Sequence, residues 1–294
     1  MKIYCASLNF ETLLRFNKIC PGRRLNVLRS FALLSPYECL LHNAHRGKIG
    51  SMILDSGTFS LNYAAGINPA QVCLNGYLRY LKLFGGRFDW YANFDADFNE
   101  NGFENNLGSQ QALEAEGLSP VPVVHDIYGD EIPYYIQKGY RRVALGSPQI
   151  TNEDALAMAL SKFAGTDIKI HLMGNVRFKY LANFPIHSAD TAGWARTGGF
   201  GLIRYWNPEK KGINKTDRIY LQERIKGGPV GNTVYSTYQY RSELDKFLWK
   251  TFNLTYYDLI GPTGQANKQL VNTYYYAQLE DIITDIHRQK GFKT

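Results

Sequence analysis

Cysteine is scarce in this chain: four residues in 294, at positions 5, 20, 39 and 73, with irregular spacing and no C-x-x-C pair. That pattern excludes a disulfide framework and a cysteine zinc clip, and reads as the reduced thiols of a cytoplasmic protein. Long apolar runs are missing too. None approaches the roughly 18 residues of a membrane span. The opening Met1-Lys2-Ile3-Tyr4-Cys5-Ala6 reads as a strand and not as a secretory leader, because no apolar stretch follows it. No segment is rich enough in Gly, Ser or Pro to serve as a linker, and there is no low-complexity tract, so a single folded unit over residues 1–294 is expected. Neither sign of charge dominates. The 33 basic residues against 26 acidic ones leave +7, which permits a nucleic-acid partner without requiring it.

What the chain does have is 45% apolar residues and a rich aromatic set, 21 Tyr, 16 Phe and 4 Trp, ample for a core. Short apolar runs alternate with helical patterns. The runs are Lys2–Ala6, Ser51–Leu54, Phe88–Phe94, Pro120–His125, Arg141–Leu145, Lys169–Met173, Phe184–Ser188 and Gly201–Trp206. Several are nearly continuous in apolar residues, as parallel strands buried on both faces should be. Asn68-Pro69 and Thr151-Asn152-Glu153-Asp154 open helices, Gly85-Gly86 closes the first of these, and further helices fit Leu107–Glu116, Glu131–Lys138 and Arg177–Asn183. Eight β/α units in this length predict an α/β chain of the TIM (β/α)8 type, which takes about 250 residues. A doubly wound open sheet is the competing reading, but no Gly-rich turn follows Ala6. The core is expected over about residues 1–206, with an excursion at 8–49, an insertion after strand eight over 207–264, and a C-terminal helical extension, Gln265–Arg288 within 265–294.

In such a barrel the chemistry sits where the strands end. Those ends carry Asp55-Ser56-Gly57, Asp95-Ala96-Asp97, His125-Asp126, Gly146-Ser147, Gly174-Asn175 and Ser188-Ala189-Asp190. A single strand-end Asp is commonly a helix cap, but three delivered to one rim suit displacement at an acetal-like carbon. One carboxylate attacks, a second shuttles the proton, and a third accepts from the N–H edge of a heterocycle.

Other motifs have weaker chemistry behind them. Asp97-x-Asn99-x-Asn101-Gly102 imitates the start of a calcium loop, but Gly108 stands where a bidentate Glu is needed. His125, His171 and His187 on neighbouring strands could serve a metallohydrolase, yet strand one has no H-x-H; His171 reads as a satisfied core residue. Gly198-Gly199-Phe200-Gly201 precedes a strand and reads as a turn. Between residues 204 and 226 seven basic residues, among them Arg204, Lys210, Lys211, Lys215 and Arg218, outnumber three acidic ones, with Tyr205, Trp206 and Tyr220 interleaved. That mixture suits a phosphate backbone and unstacked bases, and equally a solvated loop.

At Ile53-Leu54-Asp55-Ser56-Gly57-Thr58-Phe59-Ser60 the chain resembles the tRNA-guanine transglycosylase family, whose motif here is D-S-G-G-F-Q. In the family's order follow Asn93-Phe94-Asp95, Val123-Val124-His125 in place of V-Q-G, Ala144-Leu145-Gly146, and His187-Ser188-Ala189-Asp190. The likeness covers roughly residues 50–206, as short motifs in sequence and not as continuous identity. Thr58 and Ser60 replace the family's Gly and Gln, its arginine-rich stretch after the nucleophile is reduced to Thr191–Gly198 around Arg196, and its zinc cysteines have no counterpart, since every cysteine here precedes residue 74. The chain is thus more similar to the short, zinc-free DpdA-like DNA transglycosylases, phage versions included.

The resemblance implies exchange of guanine in DNA for a free 7-deazaguanine, with tRNA as the alternative polymer. Asp190 would be the nucleophile and Asp55 the general acid/base. Asp95, His125, Gly146, Ser56, Gly57 and Phe59 would hold the base, with Tyr128 as a further stacking candidate, and Arg196 joins the basic residues on the polymer. It implies no metal, no other cofactor and no membrane, in a cytoplasmic setting (the host's for phage members). A barrel that binds nucleic acid or base without catalysis is the reading from another class, although a pure binder needs neither Asp55 nor Asp190.

Overall fold

The computed structural model describes residues 1–59, 72–98, 102–221 and 233–293. Eight parallel strands form one sheet: β1 (Lys2–Ala6), β2 (Leu25–Ser30), β3 (Ile49–Asp55), β4 (Trp90–Tyr91), β5 (Val123–Val124), β6 (Arg142–Leu145), β7 (Lys169–Leu172) and β8 (Ser188–Thr191). Their order is β4-β3-β2-β1-β8-β7-β6-β5. The sheet curls until its edges meet at one parallel bridge, Ala92 to Val121, where Val121 N–H donates to Tyr91 O and Asn93 N–H to Val121 O, each at 2.8 Å. At this seam the ladder is a single residue deep, so the architecture is TIM-like, short of the full ladder of a closed barrel.

Strand alternation sorts the side chains. Tyr4, Leu28, Ile53, Trp90, Ala92, Val121, Val123 and Ala144 pack together inside the curl. Their neighbours Ile3, Cys5, Val27, Met52, Val143 and Leu145 face outward, into the layer of helices. Those helices are α1 (Phe10–Ile19), α2 (Pro36–Ala44), α3 (Leu74–Phe84), α4 (Gly102–Ala115), α5 (Glu131–Gln137), α6 (Glu153–Ser161), α7 (Phe178–Asn183) and α8 (Gly193–Gly199). Two have the side-chain caps that their sequences encode: Asn9 accepts from Thr12 N–H at the head of α1, and Asn152 from Ala155 N–H at the head of α6.

Three strand assignments from the sequence are corrected. The excursion at 8–49 holds a barrel strand, β2. Its alternation is obscured by Asn26 and Arg29, which are nevertheless buried, because Asn26 donates to Glu280 and Arg29 to Leu8 O. Conversely, Leu202–Trp206 (β9) is not in the main sheet. It pairs antiparallel with β10 (Thr216–Tyr220), which pairs parallel with β11 (Thr233–Val234). This small sheet packs with α9 (Arg241–Phe252) and α10 (Tyr256–Ile260) around a second core of Ile203, Tyr205, Ile219, Leu244, Leu248 and Leu259. The insertion therefore follows β8 and begins before residue 207. The eighth strand also starts later than the run at Phe184–Ser188, so Asp190 lies within β8 and not beyond it. The helix opening at Asn68-Pro69 falls outside the described residues except for its later part, α3, as do Ser60, Asn99, Asn101, Arg224 and Lys226.

The last helix, α11 (Gly264–Lys290), returns to the first strands. Its Glu280 accepts from the backbone N–H of Ile3 at 2.5 Å and from Asn26 Nδ2 at 2.7 Å. Burial pushes the Glu280 carboxyl up from the ordinary range. Among the described residues no helix is long and apolar enough to cross a membrane.

Candidate functional site

Asp55 closes β3, and the chain then turns sharply. Gly57 has φ +81°, and a Cβ there would lie 2.6 Å from Ser30 Oγ and 2.7 Å from Ala32 N. Only glycine fits, both in conformation and in space. The turn brings Gly57 N–H to Asp55 Oδ2 at 3.1 Å and aims the hydroxyls of Ser56 and Thr58 at Asp95 Oδ1, at 2.9 and 3.1 Å. The other oxygen of Asp95 takes His125 Nε2 at 2.9 Å. Thr58 thus has a structural role in holding Asp95.

His125 follows β5 directly, and the N–H groups of His125 and Asp126 both donate to buried Glu131 at the start of α5, at 2.8 and 3.1 Å. Burial raises the Glu131 carboxyl, against the pull of those two donors. Gly146, after β6, makes room for Val123: a Cβ there would sit 2.9 Å from Val123 Cγ1, and in ordinary contact, 3.5 Å, with His125 Cε1. Its N–H is already given to Val124 O. The aromatic ring against His125 is Phe98, edge-on at 4.7 Å; Phe59 touches Phe98 and is 63% exposed, so it stands outside the buried cluster. Tyr128 is likewise exposed.

Asp190 points into the curl from β8. Gly174 N–H donates to its Oδ1 at 2.7 Å, and His171 Nε2 approaches the same oxygen at 3.3 Å. His171 is fully buried, its Nδ1 is 2.9 Å from Ser188 Oγ, and its ring meets the edges of Trp90 and Tyr4 at 4.9 and 5.9 Å. The sequence reading of His171 as a core residue captures its burial and misses its contact with Asp190. The signal lies in the alternation, because His171 pairs in register with Ala144 and Ser188, at an inward position that an apolar residue would otherwise fill.

The three aspartates are brought within electrostatic reach of one another. Burial, then the charge of Asp95, then that of Asp190, push the Asp55 carboxyl up to about 8, against the hydrogen bonds from Gly57 and Ser56. At neutral pH Asp55 is therefore a protonated acid beside carboxylates that accept several N–H and O–H donors. Among the described residues no group of three or more His, Cys, Asp or Glu side chains is arranged to hold a metal ion.

The basic residues divide. Lys210 pairs with Asp217 at 2.8 Å, Lys215 donates to Pro208 O, and Arg204 lies over the rings of Tyr275 and Tyr276 at 5.9 and 5.7 Å. These three brace the β9–β10 hairpin and the face of α11. Arg196, Lys211 and Arg218 are exposed, and their side chains make no hydrogen bond or ion pair among the described residues. Compared with known proteins, the chain matches no family model, no curated protein and no solved structure.

Proposed function

We propose that the chain is a base-exchange transglycosylase on a (β/α)8 barrel, replacing guanine in DNA with a free 7-deazaguanine through a covalent Asp190 glycosyl intermediate. The observation that carries this reading is the split of the aspartate trio, with Asp55 buried beside Asp95 and Asp190 and its carboxyl pushed up to about 8, so that it stays protonated below that pH, while Asp190 is presented by backbone and imidazole N–H groups. Retaining displacement at a glycosidic carbon needs that division of labour. Asp190 attacks C1′ of the deoxyguanosine, and Asp55 gives its proton to the departing guanine. The incoming 7-deazaguanine then gives its N9 proton to Asp55 and displaces Asp190. Asp95, with Ser56, Thr58 and His125 around it, receives the N–H edge of the base, and the target nucleotide leaves the duplex to reach it. Exposed Arg196, Lys211 and Arg218 supply charge for phosphates, and exposed Phe59 and Tyr128 offer faces for neighbouring bases.

The test is a denaturing gel of the protein with guanine-containing DNA and, side by side, tRNA, together with release of labelled guanine. An adduct with DNA that vanishes in Asp190→Ala supports the reading. An adduct with tRNA alone transfers it to the other polymer, and no adduct and no guanine release with either sinks it in favour of a base-binding barrel.

A further inference from the structure

On the transglycosylase reading above, we propose that His171 is a positioning residue that selects Oδ2 of Asp190 as the attacking atom and hastens that atom's departure in the second step. The two oxygens of Asp190 are not equivalent. Oδ1 faces both Gly174 N–H and His171 Nε2, whereas Oδ2 takes no hydrogen bond among the described residues. A tenth of the Asp190 side-chain surface stays exposed, while His171 is sealed beneath it. A carboxylate only accepts, so His171 carries its proton on Nε2, and its Nδ1 accepts from the Ser188 hydroxyl. The edges of Tyr4 and Trp90 keep the ring from turning away.

The consequence differs between the two half-reactions. In the first, the Oδ2–C1′ bond forms as the bond from C1′ to guanine breaks, and the leaving pair is neutralised by the Asp55 proton. The donors on Oδ1 steer here, and they slightly temper the nucleophile. In the glycosyl ester that results, Oδ1 is the carbonyl oxygen. In the second half-reaction the incoming nitrogen bonds to C1′, the Oδ2–C1′ bond breaks, and its electron pair returns to the carboxylate. Charge then grows on Oδ1 in front of two fixed N–H groups, as at an oxyanion hole. Removing His171 should therefore slow the second half-reaction more than the first, and the covalent intermediate should build up.

The experiment measures kcat, KM and the fraction of protein carrying the adduct at steady state, with a guanine-containing DNA and a 7-deazaguanine base. For His171→Leu the expected result is a kcat lower by about 10- to 100-fold, the worth of one hydrogen bond to a charged group, with the KM for DNA falling alongside it, because the first half-reaction, which sets kcat/KM for DNA, is left nearly intact. The adduct fraction should rise as turnover falls. His171→Gln, which returns an N–H near the place of Nε2, should recover most of the loss. An adduct fraction that drops with kcat, or equal loss in the Leu and Gln variants with unchanged melting, overturns the proposal. Should His171→Leu not fold, Ser188→Ala removes the group that fixes the tautomer and should shift the adduct fraction in the same direction by less. A proton spectrum separates the two readings: the His171 Nε2–H signal should move when Asp190 is replaced by Ala. Its failure to move overturns the pairing of His171 with Asp190, whereas a moving signal in a protein that makes no adduct with DNA or tRNA overturns the transglycosylase reading alone.

Discussion

His125 Nε2 stands 2.9 Å from Asp95 Oδ2 while the hydroxyls of Ser56 and Thr58 converge on Asp95 Oδ1, so one buried carboxylate gathers donors from two separate strand ends. An ionised carboxylate has about four lone-pair sites, and three are occupied, which leaves about one for the edge of a base. Asp95→Ala strands all three donors in the interior. We expect a loss of stability of about 3 kcal/mol or more, read from urea unfolding, on top of weakened base binding.

The protonation of Asp55 fixes a pH dependence. Its carboxyl titrates near 8 in the folded chain, so the acid needed for guanine departure is present below that pH and disappears above it. Guanine release should fall as pH rises through about 8, and Asp55→Asn should be slow at every pH.

The same group sets a stability slope. An unfolded Asp has released its proton above a pH of about 4, whereas folded Asp55 keeps its proton until near 8. The folded form therefore holds the extra proton in this window, and the stabilisation, complete below about 4, is lost as pH climbs through 8. Unfolding midpoints measured across that window should decline in the wild type and decline less in Asp55→Asn. An identical slope in the two proteins would contradict the assignment.

Gly57→Ala should cost more than an ordinary surface change. The new methyl would meet Ser30 Oγ and the Ala32 backbone at a φ that L residues avoid. Strain and overpacking together predict a loss of about 2 kcal/mol or more, and the displaced turn should withdraw both Ser56 from Asp95 and Gly57 N–H from Asp55. Melting temperature and guanine release check the two effects separately.

The exposed and braced cations should separate in a salt titration of DNA binding. Neutralising Lys211 or Arg218 is expected to reduce the log–log salt slope by about 0.9 for each phosphate that is no longer neutralised, at unchanged stability. Lys210→Ala should behave in the opposite manner. Burial raises the Asp217 carboxyl, but hydrogen bonds from Lys210, Tyr238 and Asn207 outweigh burial and hold it below its ordinary range. Without Lys210 beside Asp217 the hairpin loosens before the salt slope changes.

The alternation of apolar runs and helical patterns makes six of the eight main-sheet strands legible, and the same logic places Asp55, Asp95 and His125 at strand ends. What is not legible has physical reasons. Asn26 and Arg29 make β2 look half polar because their partners, Glu280 and Leu8 O, come from elsewhere in the chain. Leu202–Trp206 is as apolar as a barrel strand because it serves a core of its own, and hydrophobicity does not say which sheet a strand joins. His171 reads as core alone because burial and function are compatible when a polar ring is enclosed on one side by aromatic edges and ends on a carboxylate on the other.

The clasp of Glu280 on Ile3 and Asn26 has a consequence for how the protein is made. Strand β1 pairs with β2, which is synthesised soon after it, but also with β8, some 180 residues later, and it is tied by a carboxylate near the far end of the last helix. At a ribosomal rate of about 5–20 residues per second the first strand waits many seconds with one edge unpaired. The beginning of the chain is thus among the last parts to be completed, and the nascent protein must carry an open β edge through most of its synthesis.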